Sequence, residues 1–249
     1  MTTTLAGAAM RLELDGITLS YTGAPVIEDL SLTVEPGEIL VLTGPSGCGK
    51  STVLRALTGL LRPDGGRVLA DGEPVTTTSR DRGMVFQDSA LLPWRTVRSN
   101  IELALQLRGE PKAGRKERAD RWIAEVGLSG FADFLPKNLS GGMRQRVQLA
   151  RGLAGAPRAV MMDEPFAALD TQTRAAMQRL LIDTWKAHPT TIVFVTHDVD
   201  EALILGDRVA VLGRAGQPLR VLIEVGQPRT DHPERSALRA EIIAALEQP

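Results

Sequence analysis

Residues 44–52 read Gly44-Pro45-Ser46-Gly47-Cys48-Gly49-Lys50-Ser51-Thr52, and the rest of the chain is interpreted outward from them. The run 39–42 before them is apolar, as expected of a strand buried on both faces. The three glycines allow a sharp turn that brings backbone amides close to an anion. A helix is predicted from Lys50 to Leu60, and its N-terminal amides favour negative charge. The pattern therefore predicts a phosphate-binding loop between a strand and a helix.

Lys50 and Ser51 give this loop its chemistry. The Lys50 ammonium supplies a positive charge for β- and γ-phosphates, and the Ser51 hydroxyl is placed to ligate Mg²⁺. Cys48 is the only cysteine, so it has no intrachain disulfide partner. We interpret it as a small residue that fills the loop rather than as a reactive thiol. The loop is thus predicted to hold a nucleoside triphosphate together with Mg²⁺.

Composition limits the class of protein. The chain has 249 residues, of which 43% are hydrophobic, and this is enough for one large α/β domain. A net charge of −1 gives no reason to expect nucleic acid or an anionic membrane as a partner. No apolar run approaches the roughly 20 residues that span a bilayer. The N-terminus lacks the basic region and apolar core of a signal peptide, and residues 1–10 are interpreted as a flexible tail. We therefore expect a cytosolic protein that contacts a membrane only through a partner.

The first part of the chain combines strand and helix patterns. Residues 11–34 alternate apolar and polar positions, which predicts antiparallel strands with turns at Asp15-Gly16 and Gly23-Ala24-Pro25. Residues 97–151 follow a helical pattern, rich in Arg and Glu, that breaks at 109–114. An antiparallel β region and an inserted helical region are therefore predicted around the loop.

The second part predicts a parallel sheet. Apolar runs at 159–162 and 191–195 are separated by a helix-like stretch at 171–186. This β-α-β order indicates parallel strands. The remaining predicted elements are a turn at 63–66, strands at 67–70, 208–212 and 219–224, a short strand ending at Gln87, and an amphipathic helix at 233–246 with Leu238, Ile242 and Ala245 on one face.

Two of these apolar strands end in polar residues. Asp163 and Glu164 follow the first, and His197 follows the second. Ligands of open α/β sheets bind at the carboxyl ends of strands, so the phosphate loop should share this edge. An isolated Asp-Glu pair is ordinarily a solvated strand end, and a lone histidine is usually structural. Beside a phosphate loop, Asp163 is instead expected to serve Mg²⁺, Glu164 to orient the attacking water, and His197 to link Glu164 to the γ-phosphate.

Ser140 begins another predicted helix, at Gly141–Arg151. Ser is a favourable N-cap, and capping alone is the simplest interpretation. Capping does not explain why Gly141 and Gly142 leave the first turn so bare. Exposed amides beside a hydroxyl form an anion site, so Ser140, Gly141 and Gly142 are predicted to contact phosphate.

The chain resembles the ATP-binding subunit of ATP-binding cassette (ABC) transporters over nearly its whole length. The resemblance rests on motifs in a fixed order, with Met143 standing where Gln is commonest. The motifs are Walker A at 44–52, the Q-loop at Gln87, the signature at 139–143, Walker B at 160–163, the catalytic glutamate at Glu164, the D-loop at 168–170, the switch histidine at His197 and the adenine-stacking aromatic at Tyr21. Tyr21 is the only tyrosine; alone it would be interpreted as a strand-surface residue, although an aromatic face can stack on a base.

The resemblance implies a fold and a mechanism. It implies a single domain over residues 1–249, with a P-loop NTPase (RecA-like) core, a mostly parallel sheet, an N-terminal antiparallel β subdomain and a helical subdomain inserted at about 88–155. Two subunits, identical or homologous, would sandwich ATP so that Ser140 of one faces the phosphate held at Lys50 of the other. Gln87 would join Ser51 and Asp163 at Mg²⁺ and take part in catalysis. The helical region would grip membrane permease subunits, served indirectly by a solute-binding protein.

Within the family, residues 87–94 and 143–146 resemble the nitrate, sulfonate and taurine import branch. Trp94 is the most distinctive residue of this part, flanked by Pro93 and Arg95, and we expect it at the permease interface. The transported compound is chosen by other subunits and is left open by the sequence.

Three other functions are compatible with a phosphate-binding loop. A DNA-repair or chromosome-organising ATPase of the same superfamily would need a long coiled coil or a zinc module, and the chain has neither a heptad run nor enough cysteines. A small-molecule kinase with a P-loop has no use for residues 139–143 or for His197. A nonenzymatic ATP-gated scaffold would have no need of Glu164. An importer ATPase is therefore the leading interpretation, with the DNA-associated ATPase as the alternative.

Overall fold

The computed structural model describes residues 8–21, 24–88, 90–217, 219–226 and 235–247. The strands are β1 (Leu12–Tyr21), β2 (Ala24–Val34), β3 (Ile39–Thr43), β4 (Gly65–Ala70), β5 (Glu73–Pro74), β6 (Arg82–Val85), β7 (Ala159–Asp163), β8 (Thr191–Val195), β9 (Arg208–Leu212) and β10 (Leu219–Glu224). The helices are α1 (Lys50–Thr58), α2 (Val97–Leu107), α3 (Lys112–Glu125), α4 (Gly141–Ala154), α5 (Thr171–Ala187), α6 (Val199–Leu205) and α7 (Arg235–Glu247).

The larger sheet has the order β10-β9-β3-β8-β7-β6. Its strands are parallel, except that β10 pairs antiparallel with β9. Every residue of β3 and β8 is buried, which explains why their sequences are continuous apolar runs rather than alternating ones. The predicted parallel sheet is confirmed. Because β3, β8 and β7 are neighbours, the residues that follow them meet at one edge.

The strand β3 divides the hydrophobic core into two clusters. Ile39 and Val41 pack into the cluster on the helical side, with residues of α2 to α7. Leu40 and Leu42 point the other way, into a cluster shared with α1 and the smaller sheet. This alternation follows from the two-residue side-chain period of a strand. The start of the phosphate loop is therefore fixed by packing on both faces.

The smaller sheet is antiparallel, with the order β2-β1-β4-β5. The prediction of antiparallel strands at 11–34 is confirmed, but the prediction of a turn at Asp15-Gly16 is wrong. Gly16, with φ of +59°, lies inside β1, where the pairing with β2 shifts between Leu14 and Ile17. The pair forms a β-bulge, which uses the same left-handed glycine as a turn. The predicted turn at 23–25 lies partly outside the described residues, and Ala24 already begins β2.

Two glycines end helices. Gly59 has φ of +81° and ends α1 at Thr58, close to the predicted end, which was placed at about Leu60 with Gly59 beside it. Gly127 has φ of +70°, with its N–H donating to Ala124 O and the next N–H to Ile123 O. Both are Schellman-type ends, in which a left-handed residue satisfies the last carbonyls.

The helical region therefore has two breaks rather than the one predicted at 109–114. After Gly127 the chain makes 3₁₀ turns at Ser129–Phe131 and Pro136–Asn138 before α4 begins. This segment is held to α2 because the Val97 N–H donates to Phe134 O and the Arg98 N–H to Ala132 O. The start of α2 and the segment between α3 and α4 are thereby tied together by backbone hydrogen bonds.

The chain ends partly match the expectations. Residues 1–7 of the predicted flexible tail lie outside the described residues, but Met10 is buried, which corrects the prediction at that position. Its N–H donates to Arg158 O, and its carbonyl accepts from the Thr191 hydroxyl. At the other end, α7 buries Ile242 and Ala245, as predicted, while residues 233 and 234 lie outside the description. None of the helices in the described ranges is both long and apolar enough to cross a membrane.

Candidate functional site

Residues 44–49 form a tight loop between β3 and α1. Gly44 has φ of +155°, and a Cβ there would lie 2.9 Å from both Leu212 O and Cys48 Sγ. Gly49 has φ of +99°, and its Cβ would lie 2.9 Å from Ile27 Cγ1. A side chain at either position would be strained and would collide with its neighbours. The predicted need for glycine is thus explained here by close packing as well as by backbone conformation.

The first turn of α1 carries the positive charge of the site. Gly49 occupies the N-cap position without a side-chain cap, so no side chain blocks the first amides. The Lys50 side chain is only 8% exposed, and its Nζ donates to Gly44 O at 2.8 Å and to Pro45 O at 2.9 Å. The lysine therefore lies along the inside of the loop, beside the helix N-terminus. This arrangement suits an anion with several negative oxygens.

Cys48 is buried within the same loop. Burial raises the pKa of its thiol, although the nearby Lys50 acts in the opposite direction. A thiol with a raised pKa holds little thiolate and is a poor nucleophile. The geometry agrees with a space-filling role.

Ser51 and Asp163 meet where α1 begins and β7 ends. The Ser51 hydroxyl donates to Asp163 Oδ1 at 2.9 Å. Burial raises the pKa of the Asp163 carboxyl, the Ser51 hydrogen bond lowers it, and the neighbouring Glu164 charge raises it further. A hydroxyl and a half-buried carboxylate offer the oxygen ligands that Mg²⁺ prefers, and this ion normally keeps waters and phosphate oxygens as its other ligands. The residues present therefore fit the predicted ion.

The raised pKa of Asp163 leads to a prediction. Ionised Asp163 destabilises the nucleotide-free fold, so Asp163→Asn should raise its melting temperature, while Mg²⁺-dependent hydrolysis falls by about a hundredfold or more. The destabilisation by ionised Asp163 is fully present above the pKa of this carboxyl in the folded protein. It disappears below the pKa of the same carboxyl in the unfolded chain. The gain in melting temperature should therefore stay constant from pH 8 down to the raised folded pKa, and shrink only as the pH falls from there towards the unfolded pKa. Calorimetry at a series of pH values, with phosphate release assayed in parallel, tests this, and a lower melting temperature at pH 8 would contradict it.

Glu164 and His197 stand at the ends of the adjacent strands β7 and β8. The Glu164 backbone has φ of +42°, which is rare for a residue with a side chain, and its N–H donates to Val195 O. The Glu164 Oε2 lies 3.1 Å from His197 Nδ1. The histidine is 65% exposed and the glutamate 22%, so a molecule at this edge can reach both. The structure brings the predicted glutamate and histidine into direct contact.

The backbone around His197 is held from both sides. The Thr196 N–H donates to Leu42 O of β3, and Asp198 caps α6 by accepting from the Glu201 N–H. The ring is therefore placed by the strand before it and the helix after it, although it is exposed itself.

Ser140 and its glycines lie on a separate surface. The Ser140 Oγ caps α4 by accepting from the Met143 N–H at 3.2 Å. A Cβ at Gly141 would meet open space, whereas one at Gly142 would lie 2.7 Å from Thr173 Cγ2. The predicted contact of these two glycines with phosphate stays a prediction. Gly142 is required for close packing against the first turn of α5.

This surface is a shallow depression of about 470 Å³. It is lined by the start of α4, the start of α5 and Ala168–Asp170 between β7 and α5. Among the described residues, none from the loop 44–52 contributes to its lining. Within one subunit, the Ser140 surface and the Lys50 loop are therefore different faces.

Gln87 lies on an exposed loop just beyond β6. The backbone on both sides of it is held by Gln148 of α4, whose Nε2 donates to Phe86 O at 2.6 Å and to Asp88 O at 3.3 Å. Sequence reasoning missed Gln148, since a glutamine inside a helix carries no local signal of such a contact. Tyr21 is the last residue of β1, and its side chain lies outside the described part of the chain. Its predicted stacking role stays a prediction.

Comparisons with known proteins agree on one family. The ABC transporter family model matches residues 27–167. A putative ATP-binding protein of Brucella abortus is 43% identical over 242 residues, covering 95% of this chain and 93% of its own length. The taurine import ATP-binding protein of Pseudomonas entomophila is 45% identical over 213 residues, covering 85% of this chain and 82% of its own. A dimeric ATP-binding cassette in a post-hydrolysis state, bound to ADP and phosphate, has a TM-score of 0.76 at 30% identity, covering 87% of this chain and 99% of its own.

Proposed function

The chain belongs to the ABC transporter family and is an ATPase, and we propose that it energises import of a small sulfonate of the taurine type through a partner permease. The observation that carries the substrate class is the 45% identity to a taurine import ATP-binding protein over most of both chains. Residues 87–94 and 143–146, which resemble the nitrate, sulfonate and taurine import branch, agree with this class. The P-loop NTPase fold and the family expected from the sequence are confirmed.

We assign the nucleotide to the loop 44–52. The amides at the start of α1 and the Lys50 ammonium would bind the phosphates. Ser51 and Asp163 would hold Mg²⁺, joined by Gln87, and this ion neutralises phosphate charge when bound. The adenine would stack on Tyr21. Positioning and electrostatic stabilisation supply most of the catalysis in phosphoryl transfer, so these residues act chiefly by placing charge.

Glu164 is the proposed catalytic carboxylate. It would accept a hydrogen bond from the attacking water and orient it in line with the γ-phosphate. His197, 3.1 Å from Glu164 in the structure, would hold the carboxylate and contact the same phosphate. The unusual backbone of Glu164 turns its side chain towards this edge of the sheet instead of continuing the strand.

The complete site is proposed to need two subunits. Ser140, Gly141 and the Met143 region line a depression that the loop 44–52 does not reach within the described chain. A second copy, or a homologous subunit, placed head to tail would bring this face to the phosphate bound at Lys50. Dimeric assembly of the related cassette bound to ADP and phosphate supports this arrangement. ATP would then hold the dimer together, and hydrolysis would release it.

The permease is proposed to dock on the helical region. Trp94 is 72% exposed and Leu107 is 70% exposed, which is unusual for such large apolar side chains. Leu107 also lines a cavity of about 350 Å³ between β6, α2 and α4. A docking segment would place the chain at the cytoplasmic face of the membrane without crossing it, with a solute-binding protein on the opposite side.

The arginines that line this cavity indicate which charge the docking segment of the permease carries. Its wall includes Arg80, Arg82, Arg108 and Arg151, and of these only Arg108 forms an ion pair, with Asp81, among the described residues. Arg82 and Arg151 are half-buried and donate to the backbone carbonyls of Thr77 and Ala90, and guanidinium groups in such a place favour an anionic partner. We therefore propose that the docking segment of the permease presents apolar side chains together with at least one carboxylate.

Uptake by the assembled transporter tests this function. The chain, reconstituted in proteoliposomes with its permease and binding protein, should drive ATP-dependent uptake of labelled taurine. Trp94→Ala should reduce uptake at least about tenfold, since large aromatic residues dominate interface energetics, while the isolated subunit keeps its ATPase rate. Leu60→Ala, at another exposed leucine, is the matched control and should change neither.

The outcomes separate the parts of the proposal. Intact uptake with Trp94→Ala would reject the docking assignment but not the ATPase. Uptake of nitrate and not of taurine would correct the substrate class. Copurification with DNA instead of a hydrophobic permease would favour the non-transport alternative, which no observation in the structure supports.

A further inference from the structure

Helix α4 touches two parts of the proposed machinery at once. Its N-terminus carries Ser140, which faces the phosphate of the opposite subunit in the proposed dimer. About two turns further on, Gln148 reaches the loop that carries Gln87 of the same subunit. In the proposed dimer, one helix would therefore link the partner's nucleotide to the loop that carries Gln87 of its own subunit.

Gln148 forms hydrogen bonds with this loop on both sides of Gln87. Its side-chain nitrogen donates to the carbonyls of Phe86 and Asp88, at 2.6 and 3.3 Å, and the residue is only 1% exposed. One turn on, Arg151 donates to Ala90 O at 2.8 Å. Two side chains of the same helix thus fix every second carbonyl of this loop from Phe86 to Ala90.

The far end of the loop is fixed by α2. Asn100 is fully buried, and its amide donates to the carbonyls of Leu92, Arg95 and Thr96 while accepting from the Leu92 N–H. The loop is therefore held at its end by α2 and at its start by α4, with the Gln87 side chain left exposed between β6 and these anchors.

The oxygen of the Gln148 side-chain amide shows that Gln148 does more than fill space. Its Oε1 is buried and has no hydrogen-bond partner in the described part of the chain. An unpaired buried oxygen costs stability, so an apolar side chain of the same size would suit the interior better. The donor end alone accounts for a glutamine at this position.

We propose that Gln148 is a positioning residue that couples the Gln87 loop to the signature helix, so that Gln87 and Ser140 move as one unit. The proposal rests on the dimeric ATPase function above. Movement of α4 on closing against the partner's nucleotide would pull on the carbonyls of Phe86 and Asp88. Gln87 would then reach the metal site of its own subunit only when the opposite site is closed.

The test is a double-mutant cycle with Gln148→Leu and Gln87→Ala in the full-length protein. Gln148→Leu keeps the volume but removes the donor, and kcat for ATP should fall about tenfold, with KM changed less than about twofold, because two hydrogen bonds are lost. In the Gln87→Ala background, Gln148→Leu should have no further effect, since it acts through Gln87. Additive losses in the two backgrounds would overturn the proposal.

Hydrogen exchange provides a readout that needs no activity. Gln148→Leu should speed amide exchange in a peptide covering residues 86–92 and leave the exchange of β3 unchanged. Gln145→Leu, at another buried glutamine of α4 with no hydrogen bond to this loop among the described residues, is the matched control. Unchanged exchange at 86–92 would overturn the proposal, and Gln148→Met is a second variant should the leucine disturb folding. A wild-type protein without ATPase activity would instead count against the proposed function. Failure of the Gln148 proposal and failure of the proposed function are therefore distinguishable.

Discussion

Glu164→Gln is expected to lower the rate of ATP hydrolysis by about a hundredfold or more while ATP binding is kept. The amide is nearly the same size as the carboxylate but carries no negative charge to polarise the attacking water. The 3.1 Å contact with His197 can be retained, because the amide oxygen still accepts a hydrogen bond. Single-turnover hydrolysis and equilibrium binding of a fluorescent ATP analogue separate the two effects.

The same variant should accumulate as an ATP-bound dimer. If the nucleotide joins two subunits and hydrolysis releases them, blocking hydrolysis preserves the joined form, and light scattering with ATP and Mg²⁺ should give about twice the monomer mass. Glu125→Gln is the matched control: it neutralises a carboxylate of α3 whose Oε1 lies 3.0 Å from His188 Nε2, a second Glu–His contact that is not part of the predicted site. It should leave the hydrolysis rate within about twofold of wild type. Normal turnover by Glu164→Gln would remove this residue from its assigned role.

Lys50→Ala is expected to weaken ATP binding about tenfold to a hundredfold, with hydrolysis lost as a consequence. The ammonium is the one full positive charge inside the loop, and charge-assisted hydrogen bonds to phosphate are among the strongest in proteins. Its two loop contacts, to Gly44 O and Pro45 O, are lost as well. The melting temperature of the variant should therefore be measured alongside the binding titration.

Lys186→Ala provides the comparison for this change. Lys186 is an exposed lysine in the last turn of α5, so its removal alters net charge equally without touching the loop. ATP affinity should be unchanged in that variant. Unaltered affinity in Lys50→Ala, with a normally folded protein, would contradict the assignment of phosphate binding to the loop.

The parts of the site that could be predicted are those that follow directly from strand adjacency. Lys50 and Ser51 are contiguous with a recognisable strand and helix, and β7 and β8 are parallel neighbours. Parallel pairing brings the residues after each strand to the same edge, which is how Glu164 and His197 come within 3.1 Å. No long-range information beyond the β-α-β pattern was needed for this.

The parts that could not be predicted depend on contacts between distant segments. Asp-Gly is compatible with a turn or a bulge, and only pairing with β2 settles that Gly16 is a bulge. The requirement for Gly142 comes from Thr173 of another helix, and the role of Gln148 comes from the backbone of another loop. Met10 is buried because of bonds to Arg158 and Thr191, far along the chain. Local periodicity contains none of these partners.

The alternation of β3 between two cores has a consequence for how this strand can change over evolutionary time. Ile39 and Val41 serve one cluster and Leu40 and Leu42 the other, so exchanging one aliphatic residue for another disturbs only one layer. Inserting or deleting a single residue would instead invert every side chain and displace the following loop by about 3.3 Å along the strand. We therefore expect β3 to tolerate aliphatic substitutions but not gaps, so that its length is constrained more tightly than its exact composition.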